Sequence, residues 1–180
     1  MTAPAVQVRP PQTEADLESV RDLMRAFVAW HRSQHREDRR LVEAYFDDAA
    51  FDRELDELDL KYAPPDGALL LAELDGVPVG CVALRRFDEH TCEMKRMFVQ
   101  PEAQHRGAGG ALARAIIAVA VDAGYSTMVL DTSVRQREAA ALYRGLGFTD
   151  VPPYYDLPEP LATWLVFMRL DLTTARVGAG

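Results

Sequence analysis

A mixed α/β fold, a central sheet with helices packed against it, is what this sequence predicts, and three stretches carry the prediction. Residues 68–99 contain three β-like runs joined by connections too short for crossovers, so they pair as an antiparallel meander. Residues 97–112 pass from an apolar strand into Pro101, through a loop with glycines at 107, 109 and 110, and into a helix. Residues 126–132 form another β-like run after that helix. Strand, helix, strand implies a right-handed crossover and parallel pairing.

The remaining elements follow in order. Val6 to Arg9 alternates and stops at Pro10-Pro11, a short first strand. Thr13 is a plausible helix cap with Glu14 and Asp16 in the first turn, and Leu17, Val20, Met24, Phe27, Val28 and His31 keep helical spacing behind it. Residues 31–40 read as a polar connection, and Leu41, Val42, Tyr45, Phe46 and Ala49 as a second helix. Asp75-Gly76 between residues 68–74 and 77–84 is a two-residue hairpin signal. Cys92 to Val99 is the strand that enters the glycine loop. Leu112, Ala115, Ile116, Val119 and Ala120 mark a third helix, closed by Ala123-Gly124. Glu138 to Leu146 is a fourth, closed by Gly147. Phe148 to Val151 starts a strand, Pro152-Pro153-Tyr154-Tyr155 is a stiff aromatic loop, and Trp164 to Leu170 is the last strand.

Residues 1–180 read as one domain, with a core over about 5–171 and a tail, 172–180, expected to lack fixed structure. The apolar fraction of 48% and charged fraction of 27% are those of a globular protein that works in water. A net charge of -8 argues against a general nucleic-acid binder. No apolar run reaches membrane-spanning length and the N-terminus has no signal-peptide pattern, so the cytoplasm is the expected compartment. Cys81 and Cys92 are then expected as reduced thiols, although neighbouring strands leave a disulfide open.

Two further clusters have a plain reading beside a functional one. His31 and His35 stand four apart, a spacing that can hold a metal on a helix. No adjacent ligand completes a set, so no metal is expected, and two solvent-facing or substrate-rim histidines are the simpler account. Asp47, Asp48, Asp52, Glu54, Asp56, Glu57 and Asp59 form a solvated acidic face or a negative rim that attracts an amine.

The glycine loop is where chemistry is expected. Proline ends strand pairing, the glycines permit positive φ and close approach, and the helix start offers unpaired N–H groups to an anion. A Walker A loop needs a Gly-Lys-Ser/Thr that is absent, and the third glycine of a dinucleotide fingerprint falls on Leu112. Val99-Gln100-Pro101 followed by Gln104-His105-Arg106-Gly107-Ala108-Gly109 instead resembles the coenzyme A pyrophosphate loop of the GCN5-related N-acetyltransferase (GNAT) superfamily. Ala139-Ala-Ala-Leu142-Tyr143-Arg144-Gly145-Leu146-Gly147-Phe148, about thirty residues on, is similar to a second segment of that family. Residues 92–97 and the Pro-Pro-Tyr-Tyr loop also resemble a bacterial subgroup of unknown substrate.

The resemblance implies a mixed sheet of six to seven strands flanked by about four helices and splayed between strands four and five. It implies acetyl-CoA as co-substrate and an amine-bearing acceptor attacked directly in a ternary complex. Gln104, His105, Arg106, Gly107, Ala108, Gly109, Gly110 and Ala111 would hold the diphosphate, and main-chain groups of Met97, Phe98 and Val99 the pantetheine arm. Thr132, Gln136, Ala139, Tyr143 and Arg144 complete the implied cofactor contacts. Gln136 stands where many members have Asn, and Arg144 either meets phosphates or faces solvent. Tyr143 would protonate the departing thiolate, and Glu93 would serve as base, directly or through water, unless it pairs with Lys95, Arg96 or Arg85. A non-catalytic acyl-CoA sensor and a nucleotide binder are the competing functions. The acceptor stays open, with the acidic run pointing to a cationic one, and a homodimer is common in the family.

Overall fold

Asp75 and Gly76 take positive φ values of 53° and 79°, the geometry a two-residue hairpin needs. They join β2 (Ala68–Leu74) to β3 (Val77–Arg86) in the computed structural model, which describes residues 6–34 and 36–174. With β1 (Val6–Arg9), β4 (Thr91–Val99), β5 (Thr127–Ser133), β6 (Thr149–Val151) and β7 (Leu165–Asp171), these form one seven-stranded sheet, ordered β1-β2-β3-β4-β5-β7-β6. β2, β3 and β4 are the expected antiparallel meander, and β1 adds to the β2 edge, also antiparallel. β5 then lies parallel to β4, as the crossover through α5 (Ala108–Asp122) requires. The β4–β5 ladder covers only Thr91↔Thr127 to Glu93↔Val129, and beyond it the strands part.

Helix α1 (Glu14–Gln34) begins with a reciprocal cap. The Asp16 N–H donates to Thr13 Oγ1 and the Thr13 N–H to Asp16 Oδ2, both at 3.1 Å. The second helix expected from the sequence is instead three short ones, α2 (Arg39–Tyr45), α3 (Asp48–Asp56) and α4 (Leu58–Lys61). The break has a local cause. Phe46 leaves the helical region to bury its ring, and Asp47 starts a new helix by accepting the Ala50 N–H at 2.7 Å. Helix α6 (Arg137–Gly145) lies where expected. A further short helix, α7 (Glu159–Trp164), takes Trp164 out of the last strand. Seven α-helices among the described residues thus replace the expected four.

The sheet has a core on each face. Helix α5 and the Met128, Leu130 and Met168 side chains fill one, and α1 to α4 fill the other with Phe27, Phe46, Phe51 and Phe98. Cys81 and Cys92 belong to opposite cores and both are free. His31 is not at a solvent-facing rim; it is buried in α1 beside Phe27, Trp30 and Phe46, and His35 lies outside the described residues. The tail is ordered further than expected: the Leu172 N–H donates to the Ser126 carbonyl at 2.9 Å, and Thr173 is bonded to Asp171. Residues 1–5 and 175–180 lie outside the description.

Candidate active site

Where β4 and β5 part, a groove of about 690 Å³ opens, and the glycine loop forms one of its ends. The chain leaves β4 at Val99, makes a 3₁₀ turn over Pro101–Ala103, and crosses His105 and Gly107 with φ values of 61° and 87°. Gln104 Nε2 donates to the Val99 carbonyl at 3.2 Å and so ties the loop to the strand. The Ala111 N–H is bonded to the Gly107 carbonyl at 3.0 Å, so the amides just before it are the unpaired start of the helix. Gly109 faces the groove: a Cβ there would lie 3.8 Å from Met97 and Leu142, against its wall.

Most of the expected contacts meet in this groove. Met97, Phe98 and Val99 form the β4 wall; Gln104, His105, Gly107, Gly109 and Gly110 the loop; Gln136, Ala139 and Tyr143 the α6 wall. The main chain of β4 is paired with β3 on one side only here, so alternate groups of residues 96–99 face the gap. Several expected residues are elsewhere. Ala108 is buried under the helix, Ala111 is off the wall, and Arg106 is exposed beside the groove. Arg144 faces solvent in a two-pronged pair with Asp150, at 3.1 and 2.9 Å. Thr132 does not reach the groove; its hydroxyl donates to Gln136 Oε1 at 2.7 Å and fixes that side chain at the wall. Trp30, Gln34, Arg135 and Arg137 also line the groove. Only the Arg-Gln-Arg at residues 135–137, just ahead of a helix, was a signal the sequence offered.

A narrow passage of about 40 Å³ lies beside the groove, between the strands, and Tyr143, Met97 and Gln136 line both. Burial first, and the negative charge of Asp131 second, push the Tyr143 phenol well above its ordinary pKa, so it is protonated at neutral pH.

The passage is shaped by a β-bulge that the sequence did not announce. Arg96 takes φ 54° within β4, and the β3–β4 register shifts between Cys81 and Ala83. Its guanidinium turns back to Glu54 in α3 through two 2.8 Å bonds and rests over the rings of Phe46 and Phe51. Glu54 is therefore 4% exposed, not part of a solvated face, and it also accepts from Tyr62 and Lys61. None of the acids from Asp47 to Asp59 lines the groove or the passage.

The face opposite α5 carries a phenol and carboxylate cluster. Glu93 is 1% exposed. Arg85 donates to its Oε2 at 2.6 Å, Tyr154 to its Oε1 at 3.0 Å, and Lys95 Nζ lies 3.7 Å from Oε1. Glu93 thus takes the pairing with Arg85 that was its alternative to a base, and it is on neither cavity wall. Asp131 lines the passage and accepts from Tyr45 and, at 2.9 Å, from Tyr155. The described residues hold no cluster of three or more metal-capable side chains and no helix long and apolar enough to cross a membrane.

Residues 22–148 match the acetyltransferase (GNAT) family. An uncharacterized N-acetyltransferase of Schizosaccharomyces pombe is 41% identical over 115 residues, 63% of this chain and 69% of that protein. The IAA acetyltransferase of Azospirillum brasilense is 40% identical over 111 residues, 60% of this chain and 72% of that one. Among solved structures, a Salmonella typhimurium protein with acetyl-CoA as its cofactor has a TM-score of 0.63 at 25% identity, covering 93% of this chain and 94% of its own.

Proposed function

The chain belongs to the acetyltransferase (GNAT) family, and on that basis we propose how its residues carry out acetyl-CoA-dependent N-acetyl transfer to an amine of a small molecule or peptide. The observation that carries the proposal is convergence: the glycine residues that open α5, an open β4 edge and Tyr143 line one groove, and Tyr143 borders the passage beside it as well. The groove fits a long anionic thioester. Amides of Gly107, Ala108, Gly109 and Gly110 present N–H groups to a diphosphate, which the helix end favours. Arg106 and Arg137 add charge at the mouth, and Gln104 holds the loop at the strand end. Open groups of Met97, Phe98 and Val99 continue the sheet along the pantetheine arm.

Acetyl-CoA supplies an activated acetyl group. A main-chain N–H beside the bulge would bond the thioester oxygen as negative charge develops there. The neutral amine nitrogen would bond the thioester carbon as the C–S bond breaks, Tyr143 would protonate the departing sulfur, and the proton lost by the nitrogen would return through water to the phenol. Burial raises the phenol's proton affinity, but the departing thiolate forms in the same apolar groove, where its proton affinity rises too. Glu93 acts at one remove, accepting from Arg85 and Tyr154 and lying within ion-pair distance of Lys95. Two buried free thiols accord with a single domain working in the reducing cytoplasm.

A thermal-shift panel of acetyl-CoA, CoA, ATP and NAD tests the assignment, since a ligand that binds the native state alone raises the melting temperature. Acetyl-CoA and CoA should raise it and the nucleotides lacking a pantetheine arm should not. A larger shift with ATP or NAD would overturn it.

A further inference from the structure

Two charged side chains line the passage without the bonding that their neighbours have. Asp131 receives hydrogen bonds from Tyr45 and Tyr155, and both phenols are held protonated, by burial first and then by the carboxylate itself. They bring donors but no charge. No cation among the described residues lies within ion-pair distance of Asp131. A carboxylate has room for about four hydrogen bonds, so two phenols leave it open to a further donor.

Lys95 is the converse. Its side chain is 17% exposed, and its ammonium lies 3.7 Å from Glu93 Oε1 and 5.8 Å from the Tyr45 ring centroid. The first is an ion pair, longer than a hydrogen bond, with a carboxylate that Arg85 and Tyr154 also share. Arg96, one residue on, shows what a satisfied cation looks like on this face, with both prongs on Glu54. An ammonium has three donors and no acceptor capacity, so Lys95 is poised for an anion.

Both side chains border the same opening and touch the same tyrosine, Asp131 at the Tyr45 hydroxyl and Lys95 over its ring. A carboxylate without a cation and an ammonium whose ion pair with Glu93 is longer than a hydrogen bond, one phenol apart, suit a ligand that brings both charges. We propose that the acceptor is an amino carboxylate of the amino-acid type, its amine held by Asp131 and its carboxylate by Lys95. This deepens the N-acetyltransferase reading and rests on it. A polyamine fits less well, because its second positive charge would meet Lys95. The exposed acids of residues 47–59, which point to a cationic acceptor in the sequence, are off the cavity walls.

The test is calorimetry on the CoA-loaded protein with matched pairs: L-lysine and cadaverine, L-tyrosine and tyramine, L-tryptophan and tryptamine. At least one amino acid should bind about tenfold or more tighter than its decarboxylated partner, the worth of one charge-assisted bond. Lys95→Gln should bring that ratio toward one, Lys95→Arg should restore it, and Asp131→Asn should weaken both members of the pair. Amines binding as tightly as the amino acids, no amino acid binding up to millimolar concentration, or a ratio untouched by Lys95→Gln would each overturn the proposal. Released CoA thiol is read separately. Amino-acid binding without acetyl transfer leaves this recognition site standing and defeats the transferase reading, whereas transfer confined to amines lacking a carboxylate does the reverse.

Discussion

Arg96 leaves the regular β4 ladder at φ 54° and returns its guanidinium to Glu54 in α3 through two 2.8 Å bonds. A non-glycine residue in this region is strained, and it persists where its surroundings over-determine it. Here the surroundings are a buried two-pronged ion pair and two aromatic rings. The pair connects the helices of one face to the point where β4 departs from β5.

Glu54→Gln should therefore destabilise the protein by about 3 kcal/mol at pH 7, since Arg96 would keep a largely buried charge without its partner. Chemical denaturation measures this. Burial alone would raise the Glu54 carboxyl, but the bonds from Arg96, Tyr62 and Lys61 outweigh it and hold the group well below the usual range. Its contribution is then fully present above the unfolded-state value of about 4.3 and lost as the pH falls below that. The variant should show a flatter loss of stability below about pH 4.3 than the parent.

Tyr143→Phe should lower kcat by about 100-fold, the lower range for a positioned proton donor, with little change in acetyl-CoA affinity. Steady-state kinetics beside direct CoA binding separates the two effects. A loss of affinity with kcat preserved would assign the ring to packing alone.

Gly107→Ala forces a side chain into φ 87°, where no neighbouring atom would clash but the backbone itself is strained. The cost is about 1 kcal/mol in conformational energy. Because the first free amides follow this residue, CoA affinity should drop by more than global stability does. Paired thermal melts with and without CoA read both.

Burial pushes the Cys81 and Cys92 thiols up to about 12. At pH 8 both stay protonated and covered, so a thiol reagent should react with neither in the folded protein and with both after denaturation. Rapid labelling of one thiol in the native state would contradict the placement of that strand.

What was legible in the sequence was what short segments encode. Asp75-Gly76 specifies its own hairpin, Pro101 and Gly107 specify the loop, and the run to Gly124 specifies a crossover helix, so the sheet and the groove followed. Partnerships across long separations were not legible. Glu54 looks like one more acid in a charged run until Arg96, 42 residues on, is folded against it. For Glu93 the pairing with nearby Arg85 could be anticipated, but not the bond from Tyr154, 61 residues on. Asp131 carries no local signal, because its phenols come from 86 residues before it and 24 after. The break at Phe46 likewise depends on a ring entering a core that only the packed helices create.

The central claim, that the diphosphate lies on the amides opening α5 and the pantetheine arm on the free edge of β4, is tested most directly by titrating isotope-labelled protein with CoA and following its backbone amide resonances. The account predicts the largest changes at Gly107, Ala108, Gly109 and Gly110 and at Met97, Phe98 and Val99. Saturable binding that leaves both groups unmoved, or no binding at millimolar CoA, would contradict it.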